Sequence, residues 1–230
     1  MNNQNSMNKN IILQHWTGEL NELCKLSSKN ISSYAAMIGA DYKLLRGNLF
    51  RENLSTPCQK VYMLDAVFDD YDIVAMIDPD VFTVRGLKEN IFDVQGIGII
   101  NSAAIVSVKG LKRQLGHLSK PNSPYWGGSL YVMDKPLRKK LRLHIPSIEK
   151  ELFKFSLPPR YKWEDEGIMH CLAGLAGLPK TSIPERWSYS SFLPNPEKAA
   201  MIHIRTKITP LGPKRTKIEN YTDFKNRGII

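Results

Sequence analysis

The sequence predicts an α/β fold in a single domain. Short apolar segments alternate with segments of helical periodicity along the first half of the 230 residues. This order is typical of parallel strands that are joined by helical crossovers. Residues 73–77 are continuously apolar, as expected of a central strand that is buried on both faces. Hydrophobic residues make up 42% of the chain, which is enough for one sizeable core, and no linker separates the two halves.

The elements of the first half follow from their apolar patterns and from the residues beside them. Three short apolar runs are predicted strands: 11–16, 42–46 and 72–82. Residues 19–38 have apolar positions at helical spacing, and Gly39 ends that helix. A second helix is predicted over 56–68, where Thr56 can cap the first turn and Gln59 completes a capping box.

The second half contains elements of both kinds. Its predicted strands lie within 97–108, at 129–133 and at 199–204. A basic helix is predicted at 135–144, and another helix opens at 162–166 with an acidic cluster ahead of an apolar stripe.

Composition excludes several classes of protein. The polar residues 1–9 lack the apolar region of a signal peptide, and no apolar run is long enough to span a bilayer. We therefore expect a flexible N-terminus and no membrane insertion. The cysteines, Cys24, Cys58 and Cys171, are odd in number and form no CxxC motif, which favours free thiols in a reducing compartment. We expect a cytoplasmic protein in which residues 218–230 form a polar tail.

The net charge of +10 is compatible with two kinds of anionic partner. A nucleic-acid-binding protein would need a basic stripe with interleaved aromatic residues or a recognisable module. The basic stretch 135–144 is explained by one exposed helix face. The stretch 205–217 is a loop interrupted by Pro and Gly, whose cations can hold a diphosphate. We favour a phosphate-bearing ligand over nucleic acid.

The motif Asp78-Pro79-Asp80 is the strongest indication of a functional site. It follows the buried segment 73–77, and ligands of open α/β sheets bind beyond the carboxyl ends of strands. Residues i and i+2 can point to the same side, and paired carboxylates suit Mn²⁺ or Mg²⁺. The alternative is a simple turn, because Asp and Pro are both turn residues. The position after a buried strand favours the metal site.

His203 ends the last apolar strand and is a second candidate ligand. A lone histidine in such a strand is more often a core residue than a ligand. Beside two carboxylates, however, a histidine would favour Mn²⁺ over Mg²⁺. The cations that follow it, Arg205, Lys207 and Lys214, could hold a diphosphate.

Glu164, Asp165 and Glu166 open a predicted helix next to Trp163. Acidic residues are favoured in the first turn of any helix by its dipole. The functional alternative is a general base for an acceptor hydroxyl, with Trp163 stacking on a sugar ring. The residues alone do not separate these interpretations.

Further candidates lie near the ends of strands. Gly127 and Gly128 form either a plain turn or a place where the backbone approaches a ligand closely. Lys60 could reach phosphates or Asp78, or could simply be solvated. Three residues end the first strand where a nucleobase would lie in a Rossmann-like half: His15, Trp16 and Thr17.

Taken in order, these motifs resemble those of the GT-A glycosyltransferases across about residues 10–217. The segments IILQHWTGEL, KNISSYAAMIGADY, EDEGIMH and AAMIHIRTK are also similar to the N-terminal glycosyltransferase domain of chlorovirus capsid-glycan enzymes. The resemblance implies a Rossmann-like mixed sheet flanked by helices, with two abutting lobes. Residues 10–95 would form the nucleotide-binding lobe and residues 96–217 the acceptor lobe. Because the related proteins are longer, the tail 218–230 is compatible with further domains after it.

The resemblance also implies a UDP-sugar donor (UDP-L-rhamnose or a UDP-glucose-like sugar), a Mn²⁺ or Mg²⁺ ion, and a viral capsid glycan as acceptor. The protein would then act in the host-cell cytoplasm. By this resemblance Asp78, Asp80 and His203 contact the metal or the ribose-phosphate, Asp165 is the base, and Glu164 lies near the sugar.

The acid cluster is similar to that of inverting galactosyltransferases, whereas retaining glycogenin-like enzymes carry Asp-Gln at this place. Three alternatives stay open: a retaining hexosyltransferase, a silent sugar-binding module and a nucleic-acid-binding protein. The sequence does not indicate an oligomeric state.

Overall fold

Two β-sheets and seven α-helices organise the part of the chain that the structure describes. The computed structural model describes residues 9–100, 105–120, 122–156, 164–206 and 215–230, apart from the side chains of 105–107. The strands are β1 Asn10–Trp16, β2 Asp41–Arg46, β3 Ile73–Ile77, β4 Val81–Thr83, β5 Gly98–Ile100, β6 Trp126–Asp134, β7 Tyr189–Ser190 and β8 Met201–His203.

The α-helices are α1 Glu22–Met37, α2 Ile105–Leu115, α3 Lys135–Arg142, α4 Ile145–Ile148, α5 Leu152–Phe155, α6 Glu164–Leu175 and α7 Lys217–Asn226. Short 3₁₀ helices lie at Thr56–Leu64, Ala66–Phe68, Ile91–Asp93, Glu149–Glu151, Glu185–Ser188 and Pro196–Lys198. No helix within the described ranges combines the length and the apolar character needed to cross a membrane.

The larger sheet has five strands in the order β2-β1-β3-β6-β5, and the smaller has three in the order β4-β8-β7. Strand β1 pairs in parallel with β2 and β3, which confirms the predicted parallel core of the first half. Strand β6 runs antiparallel to both β3 and β5. The sheet is therefore mixed, and the predicted α/β class is confirmed. Each sheet takes strands from both halves of the chain.

Strand β3 lies in the middle of the sheet, and its alternate residues enter different cores. Val74 and Met76 belong to the cluster that includes α6 and the 3₁₀ helix Thr56–Leu64. Ala75 and Ile77 belong to the cluster on the other face, with residues of α1. Burial on both faces explains why the segment is continuously apolar.

The predicted α-helix over 56–68 is wrong in type, because this segment forms two 3₁₀ helices. The N-cap is Ser55, without a side-chain cap bond, and Gln59 completes no capping box. The buried Gln59 amide instead accepts from the Phe50 backbone N–H at 2.8 Å and donates to the Leu54 carbonyl at 3.1 Å. The side chain that resembles a capping residue is thus used to hold the preceding loop.

The predicted strand over 72–82 is shorter than expected. The run 72–82 is interrupted at Asp78-Pro79-Asp80, so β3 and β4 belong to different sheets. The strand predicted within 97–108 is present as β5, and helix α2 begins at residue 105 of the same run. A short apolar run does not by itself distinguish a strand from a buried helix.

Residues 218–230, interpreted as a polar tail, belong largely to helix α7 and do not form an irregular segment. The Thr216 side chain and Glu219 form a complete capping box at its start. Phe224 packs with Phe82 and Ile202 of the small sheet. The three cysteines are buried and free.

Candidate active site

A cleft of about 520 Å³ opens where β3 ends, β6 begins and α6 begins. Parallel strands bring their carboxyl ends to one edge of a sheet, and ligands of α/β folds bind there. Nine residues proposed from the sequence line this cleft: Lys60, Asp78, Gly127, Gly128, Glu164, Asp165, Glu166, His203 and Arg205.

Asp78, Asp80 and His203 form a cluster with the composition of a metal site. One potential ligand atom from each lies within 4.8 Å of the other two. The fold explains the meeting, because Asp78 follows β3 directly, while antiparallel pairing of β4 with β8 sets His203 opposite Val81. Asp80 is not among the described residues that line the cleft, but its carboxylate belongs to this cluster.

The Asp80 carboxylate has a different neighbour at each oxygen. Oδ1 lies 3.3 Å from Nε2 of His203, and Oδ2 forms an ion pair with Lys217. Burial alone would raise the pKa of Asp80, but the nearby His203 and Lys217 outweigh it and hold this pKa well below its usual range.

The residues present fit a divalent cation. Oδ1 of Asp80 is buried and, although Nε2 of His203 lies 3.3 Å away, it accepts no hydrogen bond from any described group. Buried polar atoms are normally satisfied, so this oxygen suggests a missing partner. Two carboxylates and an imidazole suit Mn²⁺ better than Mg²⁺, which prefers oxygen ligands.

Lys60 connects the metal cluster with the acid cluster of α6. Its Nζ lies 2.8 Å from Oδ1 of Asp78, 2.9 Å from Oδ2 of Asp165 and 2.6 Å from the Gly128 carbonyl oxygen. The side chain is only 7% exposed. Burial would lower the pKa of Lys60, but the two carboxylates outweigh burial and raise this pKa.

Asp165 is the most buried of the three acids that open α6, with 3% exposure. The Tyr131 hydroxyl donates to its Oδ2 at 3.1 Å. Burial raises the pKa of Asp165 to about 7 although Lys60 opposes the shift. A Cβ at Gly128 would collide with this carboxylate and would lie 3.0 Å from Nζ of Lys60. The absence of a side chain at Gly128 therefore lets Asp165 and Lys60 approach the backbone closely.

The other two acids point in different directions, as expected for successive residues of a helix. Oε1 of Glu166 accepts from the Gly128 backbone N–H at 3.0 Å, and burial raises the pKa of Glu166. Glu164 has a φ of 39°, in the left-handed region that non-glycine residues rarely adopt. It lines the cleft and is partly exposed.

The three residues proposed to contact a nucleobase lie at the end of β1, next to β3. His15 is 2% exposed, and its Nε2 lies 2.7 Å from the Gly47 carbonyl oxygen. Burial lowers the pKa of His15. Trp16 donates from Nε1 to the Glu19 carbonyl, and the Thr17 and Thr56 hydroxyls are hydrogen-bonded to each other. Among the residues described, the cleft lining contains none of these three.

The basic segment after β8 is described only in part. Arg205 lines the cleft, and its backbone N–H donates to the Ser191 hydroxyl at 3.0 Å. Lys207, Lys214 and Trp163 lie outside the described residues.

Sequence reasoning missed two residues of the site. Tyr131 lies in an apolar strand and belongs to no motif. The one available indication is that Tyr131 lies on the same face of β6 as Ser129, which lines the cleft. Lys217 pairs with Asp80 across 137 positions, so no local pattern could indicate the contact. The capping box at Thr216 could have indicated the helix that carries it.

The mixed sheet, with the Asp78-Pro79-Asp80 motif at the end of its central strand, has the GT-A fold found in glycosyltransferases. The match to a glycosyltransferase involved in the glycosylation of the major capsid of PBCV-1 has a TM-score of 0.54 at 10% identity, over 94% of this chain and 99% of that one.

The galactosyltransferase LgtC, solved with donor and acceptor sugar analogs, matches with a TM-score of 0.54 at 14% identity, over 94% and 95% of the two chains. At these identities the similarity shows the fold. No protein-family model and no curated protein matches the sequence.

Proposed function

We propose that the chain is a metal-dependent glycosyltransferase that moves a sugar from a UDP-sugar to a glycan acceptor. The observation that supports this function is the cluster of Asp78, Asp80 and His203, whose ligand atoms lie within 4.8 Å of one another. Asp78 and His203 share a cleft with Asp165 on a GT-A fold. A cation at this cluster would neutralise the departing diphosphate, and the buried carboxylate would take the proton from the acceptor. The transfer needs both functions.

The donor diphosphate is expected at the Asp78 end of the cleft. A divalent ion held by the cluster would offset the negative charge that grows on the departing diphosphate. Arg205 lines the same cleft and adds a fixed cation. Lys207, in the same basic segment, is proposed to act with it. The base of the nucleotide is proposed to lie against the end of β1, near Trp16 and Thr17.

Asp165 is proposed as the general base of an inverting displacement. It would take the proton from an acceptor hydroxyl while the new bond to the anomeric carbon forms and the bond to the diphosphate breaks. A base is most effective when its pKa is near the working pH, and burial raises the pKa of Asp165 to about 7. Lys60 and Tyr131 hold the carboxylate in one orientation.

A second candidate is a retaining transferase with the same donor site. The observation in its favour is that Asp165 is only 3% exposed and has contacts to Lys60 and Tyr131. A carboxylate held in this way could orient donor hydroxyls and leave proton abstraction to another group. Proton NMR of the product distinguishes the two, because only inversion changes the donor's anomeric configuration.

The substrates are proposed from the sequence resemblance. The donor is UDP-L-rhamnose or a UDP-glucose-like sugar, and the acceptor is a glycan of a viral capsid protein. Phe192 and Leu193 line the cleft and are each 38% exposed. Their apolar surface suits the apolar face of a sugar ring.

The experiment that tests this function is a donor screen. The protein is incubated with UDP- and GDP-sugars plus Mn²⁺, with and without glycan acceptors, and the release of UDP or GDP is measured. We expect UDP release that requires both Mn²⁺ and one class of donor. Absence of release from every donor, in a sample that binds UDP, would favour a sugar-binding module.

A further inference from the structure

Each of the two carboxylates of the Asp78-Pro79-Asp80 motif is paired with a lysine, but the two lysines are held very differently. Lys60, on Asp78, is 7% exposed and contacts two carboxylates and one carbonyl group. Lys217, on Asp80, is 43% exposed, and the Oδ2 atom of Asp80 is its one ion-pair partner among the described residues. Removing Lys60 from its site would leave buried charges unpaired, whereas Lys217 can leave Asp80 for solvent.

The backbone that carries Lys217 is fixed. Lys217 is the first residue of α7 and lies between Thr216 and Glu219, the two residues that form the capping box. The Asn220 amide donates to the Arg205 carbonyl at 2.8 Å, and Phe224 is buried against the small sheet. The ammonium group can therefore move by rotation of its four-carbon side chain while the helix stays in place.

The ammonium group and a metal ion need the same carboxylate. Oδ1 of Asp80 is buried without a hydrogen bond among the described groups, and Oδ2 holds Lys217. The ammonium group of Lys217 has only donors and no lone pair, so it cannot itself bind a metal ion as a ligand. While it is paired with Asp80, the positive ammonium group would repel a metal ion on the same carboxylate. Binding of the ion and the ion pair between Lys217 and Asp80 therefore compete.

We propose that Lys217 is an exchangeable counter-ion of the metal site. It neutralises Asp80 when the site holds no ion, and it is displaced when a divalent ion binds, so that it lowers the affinity for the ion. This inference rests on the proposed metal site at Asp78, Asp80 and His203. It assigns to the first residue of α7 a direct influence on that site, although the sequence alone indicates only a basic loop up to residue 217 and a tail after it.

The test measures Mn²⁺ binding to the whole chain without nucleotide, by titration calorimetry or by the electron paramagnetic resonance of free Mn²⁺. Lys217→Met should bind Mn²⁺ about three- to fivefold more tightly than the wild type, the upper part of the range expected for loss of a partly exposed ion pair. Lys217→Arg keeps the charge and can pair with Asp80 through two donors, so it should bind Mn²⁺ no more tightly than the wild type.

Lys225→Met is the matched control, because it removes the same charge from an exposed position of the same helix. It should leave the Mn²⁺ affinity within about twofold of the wild type. Lys225 is about 12 Å from Lys217 along the helix, and charges beyond a Debye length are largely screened. Circular dichroism verifies that each variant is folded.

The possible failures are distinguishable. If the wild type binds Mn²⁺ and Lys217→Met binds it no more tightly than Lys225→Met does, the counter-ion role is overturned and the metal site stands. If the wild type shows no saturable Mn²⁺ binding, the metal part of the proposed function is overturned together with this inference.

Discussion

The Asp80 side chain offers the most direct test of the metal site. Asp80→Ala should weaken Mn²⁺-dependent UDP binding by about 100-fold or more, since even outer-shell partners of a metal ligand contribute about 10- to 100-fold. The fold should persist, because Asp80 lies in the turn between β3 and β4, and its ion pairs among the described residues are those with His203 and Lys217. Titration calorimetry with UDP, with and without Mn²⁺, measures the effect.

Asp93→Ala serves as the control for that variant, because Asp93 is an exposed acid of a short 3₁₀ helix. It should bind UDP as the wild type does in both conditions. Unchanged UDP affinity of Asp80→Ala in the presence of Mn²⁺ would contradict the assignment.

The role proposed for Asp165 predicts a pH dependence with a definite sign. A general base acts when it is deprotonated, and burial raises the pKa of Asp165 to about 7. The kcat/KM should therefore rise as the pH rises through about 7. Asp165→Asn should lose this rise together with about 10²- to 10⁴-fold in kcat. Initial rates between pH 5 and pH 9 measure both (about two pH units on each side of the expected midpoint).

The same variant should keep its donor and metal affinities, because the base acts in the transition state. Glu164→Gln is the comparison, since Glu164 is proposed to lie near the donor sugar and its loss should weaken donor binding instead. An Asp165→Asn protein with the kcat of the wild type would refute the base assignment.

The raised pKa also has a consequence for stability. Folding favours the protonated form of Asp165, so its contribution to stability is complete below the unfolded pKa of about 4. That contribution decreases as the pH rises through about 7. The ionised form of Asp165, which the proposed mechanism requires, therefore makes the folded protein less stable at neutral pH than the protonated form does.

At the scale of single elements, Arg138 of α3 shows how the fold holds the far end of the central strands. It is fully buried, and its guanidinium donates to the carbonyl groups of Met133, Phe68 and Tyr71 at 2.8 to 2.9 Å. The contacts join the end of β6 to the turn that precedes β3.

Arg138→Leu should lower the free energy of unfolding by about 3 kcal/mol or more, because it leaves three carbonyl groups without their donor. Urea denaturation measures the loss. Arg227→Leu is the control, since Arg227 is exposed and its ion pair with Asp223, at 3.4 Å, lies in solvent. This variant should change the free energy of unfolding by no more than about 0.5 kcal/mol. Equal midpoints for the two variants would contradict the structural role of Arg138.

The success of sequence prediction differed between elements for physical reasons. Strand β3 could be predicted because burial on both faces leaves a continuous apolar run. The segment 56–68 could not, because Gln59 has the spacing of a cap residue while its tertiary contacts use it elsewhere. Helix α2 was hidden within the run 97–108, whose Gly and Ser residues interrupt any clear period.

The candidate site was predictable to the extent that it depends on local motifs. Asp78, Asp165 and His203 each lie within one residue of the end of a regular element, and such positions converge in an α/β fold. The partners that tune them come from distant segments. Lys60 meets Asp165 across the core, and Lys217 meets Asp80 from the last helix, so neither contact has a local pattern.

At the scale of the whole molecule, charge and topology lead to different expectations about the ligand. A net charge of +10 is compatible with nucleic acid, whereas the cleft and the cluster of Asp78, Asp80 and His203 are compatible with the proposed metal-bound nucleotide. The five-stranded sheet brings strands from both halves of the chain to one cleft. A ligand in that cleft should therefore stabilise the molecule as a unit.

Thermal unfolding distinguishes these two ligand classes. A ligand present at 100 times its Kd stabilises the folded state by about 2.7 kcal/mol. For a chain of this size that corresponds to a rise in Tm of roughly 5 to 10 °C. We expect this rise with UDP plus Mn²⁺ and a much smaller one with either alone, because in the proposed site the ion joins the diphosphate to the cluster of Asp78, Asp80 and His203. Oligonucleotides should leave the Tm unchanged at physiological salt, and Asp80→Ala should abolish the response to UDP plus Mn²⁺. A Tm that rises with oligonucleotides but not with UDP plus Mn²⁺ would assign the positive charge to nucleic-acid binding and leave the cleft without its proposed ligand.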